Sequence, residues 1–179
     1  MKKKLFALAL CVIMVVAMAV PAFADGPQPR TDVNQPIYWM CESLTLNGYG
    51  LNVHGNNTIV DGNRVTLWGH QATTAQQWIT QQDSWGNYRV YSMLSPARAT
   101  GHALNRTSGN RCIMWPSTYS DSIQDSAADI LTSSGGWQYI SLVYGDSTNR
   151  LLNYTGNEKY NGQDLLFMAR GSIFHSIIV

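Results

Sequence analysis

Charge is scarce in this chain. Only 13% of its 179 residues are charged, and beyond Lys4 a single lysine, Lys159, remains. Helical bundles and coiled coils draw on Ala, Glu, Lys and Leu in quantity, so that class is excluded. No basic run of five or more residues occurs, which argues against nucleic acid or an anionic membrane surface as partner. Cysteine is nearly absent too. Cys11, Cys41 and Cys112 form no metal or redox spacing. G-x-S-x-G, H-E-x-x-H, P-loop and C-x-x-C motifs are all missing, so no enzyme class is signalled. No window sustains a 3.6-residue apolar period over three turns. Aromatics nevertheless reach 11%, a balance that excludes bulk disorder.

What is present begins with a leader pattern. Lys2, Lys3 and Lys4 precede an uncharged apolar run from Leu5 to Val20, and Ala22-Phe23-Ala24 forms a small-residue cleavage site. This reads as a secretory signal peptide over residues 1–24, cut before Asp25, and predicts a secreted, extracellular protein with no membrane insertion after cleavage. The remaining 155 residues carry nine basic and eleven acidic side chains, a net charge of −2. That length makes one domain, or at most two small ones, and is enough to bury on the order of 70% of the unfolded surface. Cys41 and Cys112 are compatible with an extracellular pair or with two isolated buried thiols.

Residues 25–35 hold Pro27 and Pro29 and read as an extended entry segment. Beyond them, short apolar runs alternate with Gly, Asn, Asp and Ser. The 13 Asn and 10 Gln of the chain outnumber the charged side chains of the mature part. Short alternating runs between turn signals predict an all-β fold. The runs also repeat. Leu51-Asn52-Val53-His54-Gly55-Asn56 returns as Leu104-Asn105 with Gly109-Asn110, and again as Leu152-Asn153-Tyr154-Thr155-Gly156-Asn157. Asn63-Arg64-Val65-Thr66-Leu67-Trp68 aligns with Asn110-Arg111-Cys112-Ile113-Met114-Trp115 and with Gln163 to Met168. Three units of four short strands follow, about 36–82, 83–133 and 134–179. Twelve strands in three units are the plan of a β-trefoil, six strands closing a barrel and three hairpins capping it. Phe174 to Val179 should then close the barrel against the first strand.

The first unit, with Val65-Thr66-Leu67-Trp68 followed by Gln76-Gln77-Trp78 (the Q-x-W motif), resembles the ricin-B-type lectin family, also called family 13 carbohydrate-binding modules. The resemblance spans roughly residues 36–179, strongest in the first unit and weakest in the third. It implies a non-catalytic carbohydrate-binding protein with a shallow saccharide site per unit. Such a site needs an aromatic face for sugar C–H groups and amides for the hydroxyls. Carried over by position, the first site would use Asn52, Thr66, Trp68, Gln71 and Gln76; the second keeps Asn105 and Trp115. The third has Met168 where the aromatic stands, and should be silent unless Tyr154 or Tyr160 supplies a face. Alternation along Val65-Thr66-Leu67-Trp68 places Val65 and Leu67 in the core and Thr66 with Trp68 on a groove. Family members that bind galactose usually have Asp where Asn52 stands, and many staple each unit by a disulfide. Here the staple positions hold Gly50 and His70, Ala103 and Ser117, and Leu151 and Arg170.

Each of these residues also has a plainer role. Trp78 reads as core. Gln76 reads equally as a turn tie. The recurring Asn52, Asn105 and Asn153 suit a turn, since Asn bonds its own backbone and tolerates the left-handed region. Asp121, Asp125 and Asp129 lack the dense oxygen pattern of a calcium loop, so neither metal nor cofactor is expected. A second functional reading is a trefoil acting as a protein-interaction module, a toxin-complex subunit or an inhibitor. Its sign would be an exposed apolar patch around Tyr154 and Tyr160. A small hydrolase is the third, and would need an acid, base and nucleophile clustered in a groove.

Overall fold

The computed structural model describes residues 34–55, 57–82, 88–95, 101–116, 128–132, 137–142 and 150–179. The presequence and nearly all of the entry segment lie outside these residues. Within them the chain is strand and turn, with one 3-10 turn at Thr74–Gln76. The first four strands are β1 (Pro36–Cys41), β2 (Tyr49–Val53), β3 (Val65–Gly69) and β4 (Gln77–Gln82). Four more follow: β5 (Tyr88–Ser92), β6 (His102–Arg106), β7 (Cys112–Pro116) and β8 (Ala128–Thr132). The last four are β9 (Gln138–Leu142), β10 (Arg150–Tyr154), β11 (Gln163–Met168) and β12 (Phe174–Ile178).

Six strands form a closed antiparallel ring. β1 pairs with β4, β4 with β5, β5 with β8, β8 with β9, β9 with β12, and β12 returns to β1. The closing pair runs in register from Ile37 opposite Ile178 to Cys41 opposite Phe174, as expected from the last repeat. Closure leaves this ring no free edge to template aggregation. The hairpins β2–β3, β6–β7 and β10–β11 cap one end. This is a β-trefoil of three four-stranded units.

The hairpins interlock in a ring of their own. The Gly62 N–H donates to the Met114 carbonyl, the Phe167 N–H to the Asn110 carbonyl, and the Gly162 N–H to the Leu67 carbonyl. Each unit's turn thus satisfies a strand of the next unit. Gly62 and Gly162 sit at φ +81° and +84° in these turns, a region that costs an L side chain about 1–2 kcal/mol. The neighbouring amides of Asn63 and Gln163 do matching work. Asn63 donates to the His54 carbonyl at 2.9 Å and accepts from the Val60 N–H. Gln163 donates to the Thr155 carbonyl and accepts from the Tyr160 N–H.

Period-two burial builds the core. Ile37, Trp39 and Cys41, Leu51 and Val53, Val65 and Leu67 all point inward and pack with Trp78, Phe167 and Phe174. Trp78 is fully buried, and its Nε1–H donates to the Leu51 carbonyl at 3.1 Å, so the indole brings no unpaired donor inside. Cys41 and Cys112 are free, buried thiols, not a pair. Burial pushes Cys41 up to about 12 and raises Cys112 as well; neither is a nucleophile at neutral pH. Gly50, one of the staple positions, lies against β1. A β-carbon there would stand 3.0 Å from the Trp39 carbonyl oxygen and 3.1 Å from Met40 Sδ.

Candidate functional site

In the first unit, Asn52 on β2 and Trp68 on β3 face a cleft of about 390 Å³. Gln71 and Thr73 reach it from the loop after β3, His54 and Asn57 from the loop after β2, and Ala75 lies at its base. None of these lining residues is an acid, a lysine or an arginine. Polar, neutral, with one indole wall, the cleft can hold hydroxyl groups by amide hydrogen bonds and an apolar C–H face by stacking.

The loop carrying Gln71 is clamped by Gln76. That side chain is 2% exposed. Its Oε1 accepts from the Gln71 N–H at 2.7 Å, and its Nε2 donates to the Gly69 carbonyl at 3.0 Å. Both ends of the amide are used inside the protein, so Gln76 ties the turn and does not line the cleft. The clamp also holds Ala72 at φ +53°. Strain of this kind persists only where the surroundings over-determine it, and it gathers at ligand clamps.

Thr66 corrects the sequence reading. It is 0% exposed and, among the described residues, its Oγ1 has no hydrogen-bond partner. Alternation does put it on the same side as Asn52, its partner across the hairpin. However, β11 pairs on the other side of β3 and sets Asp164 opposite Thr66. With a strand on each flank Thr66 is enclosed, and of the β3 residues it is Trp68, near the strand end, that lines the cleft. Thr66 is a core position. Trp68 itself is half-buried. Its neighbour from the third unit is the turn at Gly162, where a β-carbon would lie 3.6 Å from the indole. Asn161 of that turn accepts from the Gly69 N–H at 2.7 Å.

The recurring asparagines all bond backbone. Asn52 Nδ2 donates to the Val53 carbonyl at 3.0 Å, Asn105 Oδ1 accepts from the Arg106 N–H at 2.6 Å, and Asn153 Nδ2 donates to the Arg170 carbonyl at 2.9 Å. They do so from extended strands, so the left-handed conformation is not the reason for their recurrence. In the second unit Trp115 is 46% exposed, while Ile113 is buried. The loop that would complete this site, with Asp121 and Asp125, lies outside the described residues.

The third unit is not the bare copy that Met168 suggests. A cleft of about 380 Å³ opens there, lined by Asn153, Tyr154, Thr155, Met168 and Ser172, and by Glu42 from the first unit. Sequence reasoning missed Glu42. It follows β1, which the closed barrel sets beside β12, and no local motif announces that. Tyr160, the other tyrosine considered, is 57% exposed on the turn beside β3.

An acid, a base and a hydroxyl do meet at one place. His102 Nε2 lies 2.9 Å from Asp61 Oδ1, and its Nδ1 lies 3.4 Å from Ser95 Oγ. The His102 N–H also donates to the Ser95 carbonyl. These bonds stitch the first unit's turn to the start of β6. Asp61 is exposed, which leaves its charge screened rather than focused. Among the described residues no cluster of three metal-ligating side chains occurs, and no helix is long and apolar enough to cross a membrane.

No protein-family model matches the chain, and no curated protein matches it. Solved structures do. The designed threefold-symmetric protein ThreeFoil superposes with a TM-score of 0.65 at 14% identity, over 80% of this chain and 99% of that one. A Macrolepiota procera ricin B-like lectin, solved with lactose, gives 0.58 at 12% identity, over 84% and 99%. A mosquitocidal holotoxin gives 0.67 at 12% identity, over 82% of this chain and 17% of that one. A Clostridium thermocellum exo-beta-1,3-galactanase shares the fold over 31% of its length. The chain therefore has the ricin-B-type β-trefoil fold, one found in free-standing lectins and as a part of larger proteins.

Proposed function

We propose that this protein is a secreted, non-catalytic carbohydrate-binding module whose working site is the first-unit cleft. The observation that carries the reading is the pairing of the Trp68 indole with neutral amides, Asn52 and Gln71, around one open cleft. Trp68 supplies the stacking face and the amides address hydroxyls. The absence of a carboxylate from that lining selects a neutral saccharide held by neutral hydrogen bonds, each worth about 0.5–1.5 kcal/mol. A single shallow site of this kind binds near millimolar, about −4 kcal/mol. Trp115 marks a second, smaller contact.

The test is a glycan and polysaccharide binding screen of the protein beside its Trp68→Ala variant. A hit lost in a variant that unfolds at the normal temperature supports the site. Full binding by a normally folded Trp68→Ala protein overturns it. The protein-interaction reading, as toxin-complex subunit or inhibitor, has less behind it. Tyr160 is exposed, but Tyr154 is engaged with Glu42 and Lys159, so the surroundings of Tyr154 are charged rather than apolar.

A further inference from the structure

Asparagine followed by glycine occurs twice in the chain, at Asn47-Gly48 and at Asn161-Gly162. A side-chain amide is most readily lost in this pair, because glycine has no side chain to keep its backbone nitrogen from the amide carbon and turns freely toward it. The two copies stand in opposite surroundings. Asn161-Gly162 belongs to a hairpin lock: the Gly162 N–H donates to the Leu67 carbonyl at 2.9 Å, and Asn161 Oδ1 accepts from the Gly69 N–H at 2.7 Å. Nucleophile and target are both held. Asp61-Gly62, at the same place in the first unit, has its glycine N–H held by the Met114 carbonyl. Asn47-Gly48 lies outside these locks, exposed in the loop between β1 and β2. That loop is tied through Ser43, whose Oγ lies 2.8 Å from the Thr45 carbonyl oxygen and 2.9 Å from that of Asn47. The Asn47 N–H donates to Thr45 Oγ1 at 3.3 Å. None of these bonds engages the reacting groups. Among the described residues, neither the Gly48 N–H nor the Asn47 side-chain amide has a hydrogen-bond partner. Gly48 sits at φ +143°.

From this contrast we infer that Asn47 is a site of spontaneous covalent modification, losing its amide through a cyclic imide with Gly48, while the fold protects Asn161. The Gly48 backbone nitrogen attacks the Asn47 side-chain carbonyl carbon. A new carbon–nitrogen bond closes a five-membered succinimide, the bond to Nδ2 breaks, and ammonia leaves with the proton that the Gly48 nitrogen gives up. Water then opens the ring at either carbonyl. One opening leaves aspartate and the other isoaspartate, in which the chain runs through the former side chain. In that product the carbonyl beside Ser43 Oγ becomes a free carboxylate, so the loop loses part of its tie. The change falls next to the Gly48 carbonyl, which accepts the His70 N–H at 2.9 Å. It therefore lies one hydrogen bond from the loop that carries Gln71. At Asn161 the same attack requires the bonds to Leu67 and Gly69 to open first. Each ordinary hydrogen bond that must open slows a reaction by about two- to tenfold.

The experiment is peptide mapping by mass spectrometry, with fragmentation to place the change, on the folded protein sampled during incubation near neutral pH. A parallel incubation holds the chain unfolded in urea. In the folded protein Asn47 should lose its amide at least about tenfold faster than Asn161, since two bonds protect the latter. Its product should be a mixture of aspartate and isoaspartate. In urea the two rates should converge, because both locks are gone. Asn47→Gln should remove the fast component from the folded protein, and thermal unfolding of that variant confirms that the fold is intact. The inference is overturned if Asn161 keeps pace with Asn47 in the folded protein. It is equally overturned if Asn47 stays intact there while the unfolded chain loses the same amide, or if the fast component survives Asn47→Gln.

Discussion

Thr66→Val isolates a position where the repeat pattern and the structure point in opposite directions. The hydroxyl is fully buried and, among the described residues, unpartnered. Burying such a group costs about 1–3 kcal/mol relative to an apolar one of the same shape. Valine keeps the β-branched outline and strand preference of threonine and puts a methyl where the hydroxyl stood. Crowding against β2 and β11 takes back part of this. A net gain of about 1–2 kcal/mol is expected. For a domain of this size that is a rise of about 3–8 °C in unfolding temperature. The assay is urea unfolding, read as a higher midpoint with unchanged slope, together with saccharide binding by the same protein. A stabilised variant with unaltered binding places Thr66 in the core. Destabilisation by 1 kcal/mol or more would show that the hydroxyl has a partner, and lost binding in a stable variant would return Thr66 to the groove; either refutes the argument.

Three further outcomes follow from the same geometry. Gln76→Ala should cost about 1–3 kcal/mol, because it leaves the Gln71 N–H and the Gly69 carbonyl without their partner; it should also weaken saccharide binding as the Gln71 loop loosens, and unchanged stability in urea would contradict the clamp. Ala72→Gly should be neutral or stabilising by about 0.5 kcal/mol, since Ala72 sits at φ +53°, whereas the same change in a strand interior costs about 0.5–1 kcal/mol; a loss comparable to the strand value would argue against strain there. Stability should fall in alkali: Cys41, Cys112, Tyr154 and Lys159 all have raised pKa values in the folded state, so the folded chain holds more protons. Their contribution is complete below the ordinary thiol value of 9.0 and fades as pH climbs toward the 12 of Cys41. Urea midpoints that stay level from pH 8 to 11 would count against it.

Period two and the Leu-Asn phrase made the trefoil legible, because both report which face a strand buries, and burial is what the repeated unit shares. Trp78 was legible for the same reason. Thr66 was not. Alternation tells which side of a strand a residue occupies but not whether a neighbouring hairpin covers that side, and β11 is nearly a hundred residues away. Gln76 was half legible: its amide suits either a sugar or a turn, and only the Gln71 and Gly69 contacts decide. Glu42 was illegible, since its approach to Tyr154 across 112 positions exists only once β1 has met β12.

That last contact shows where this fold keeps its variability. The three turns lock neighbouring units by backbone hydrogen bonds, which place few demands on side chains. The third cleft stands at a seam, its walls coming from two units, while the first is lined by its own unit alone. Trp68 has the third unit's Gly162 at its side, and Asn153 and Tyr154 have the first unit's Glu42. A substitution in one unit can recast the chemistry of its neighbour's cleft without disturbing the lock. Two clefts of similar volume, one neutral and one charged, can arise in this way from one repeated phrase, and a single carboxylate arriving from another unit, Glu42, is enough to distinguish them.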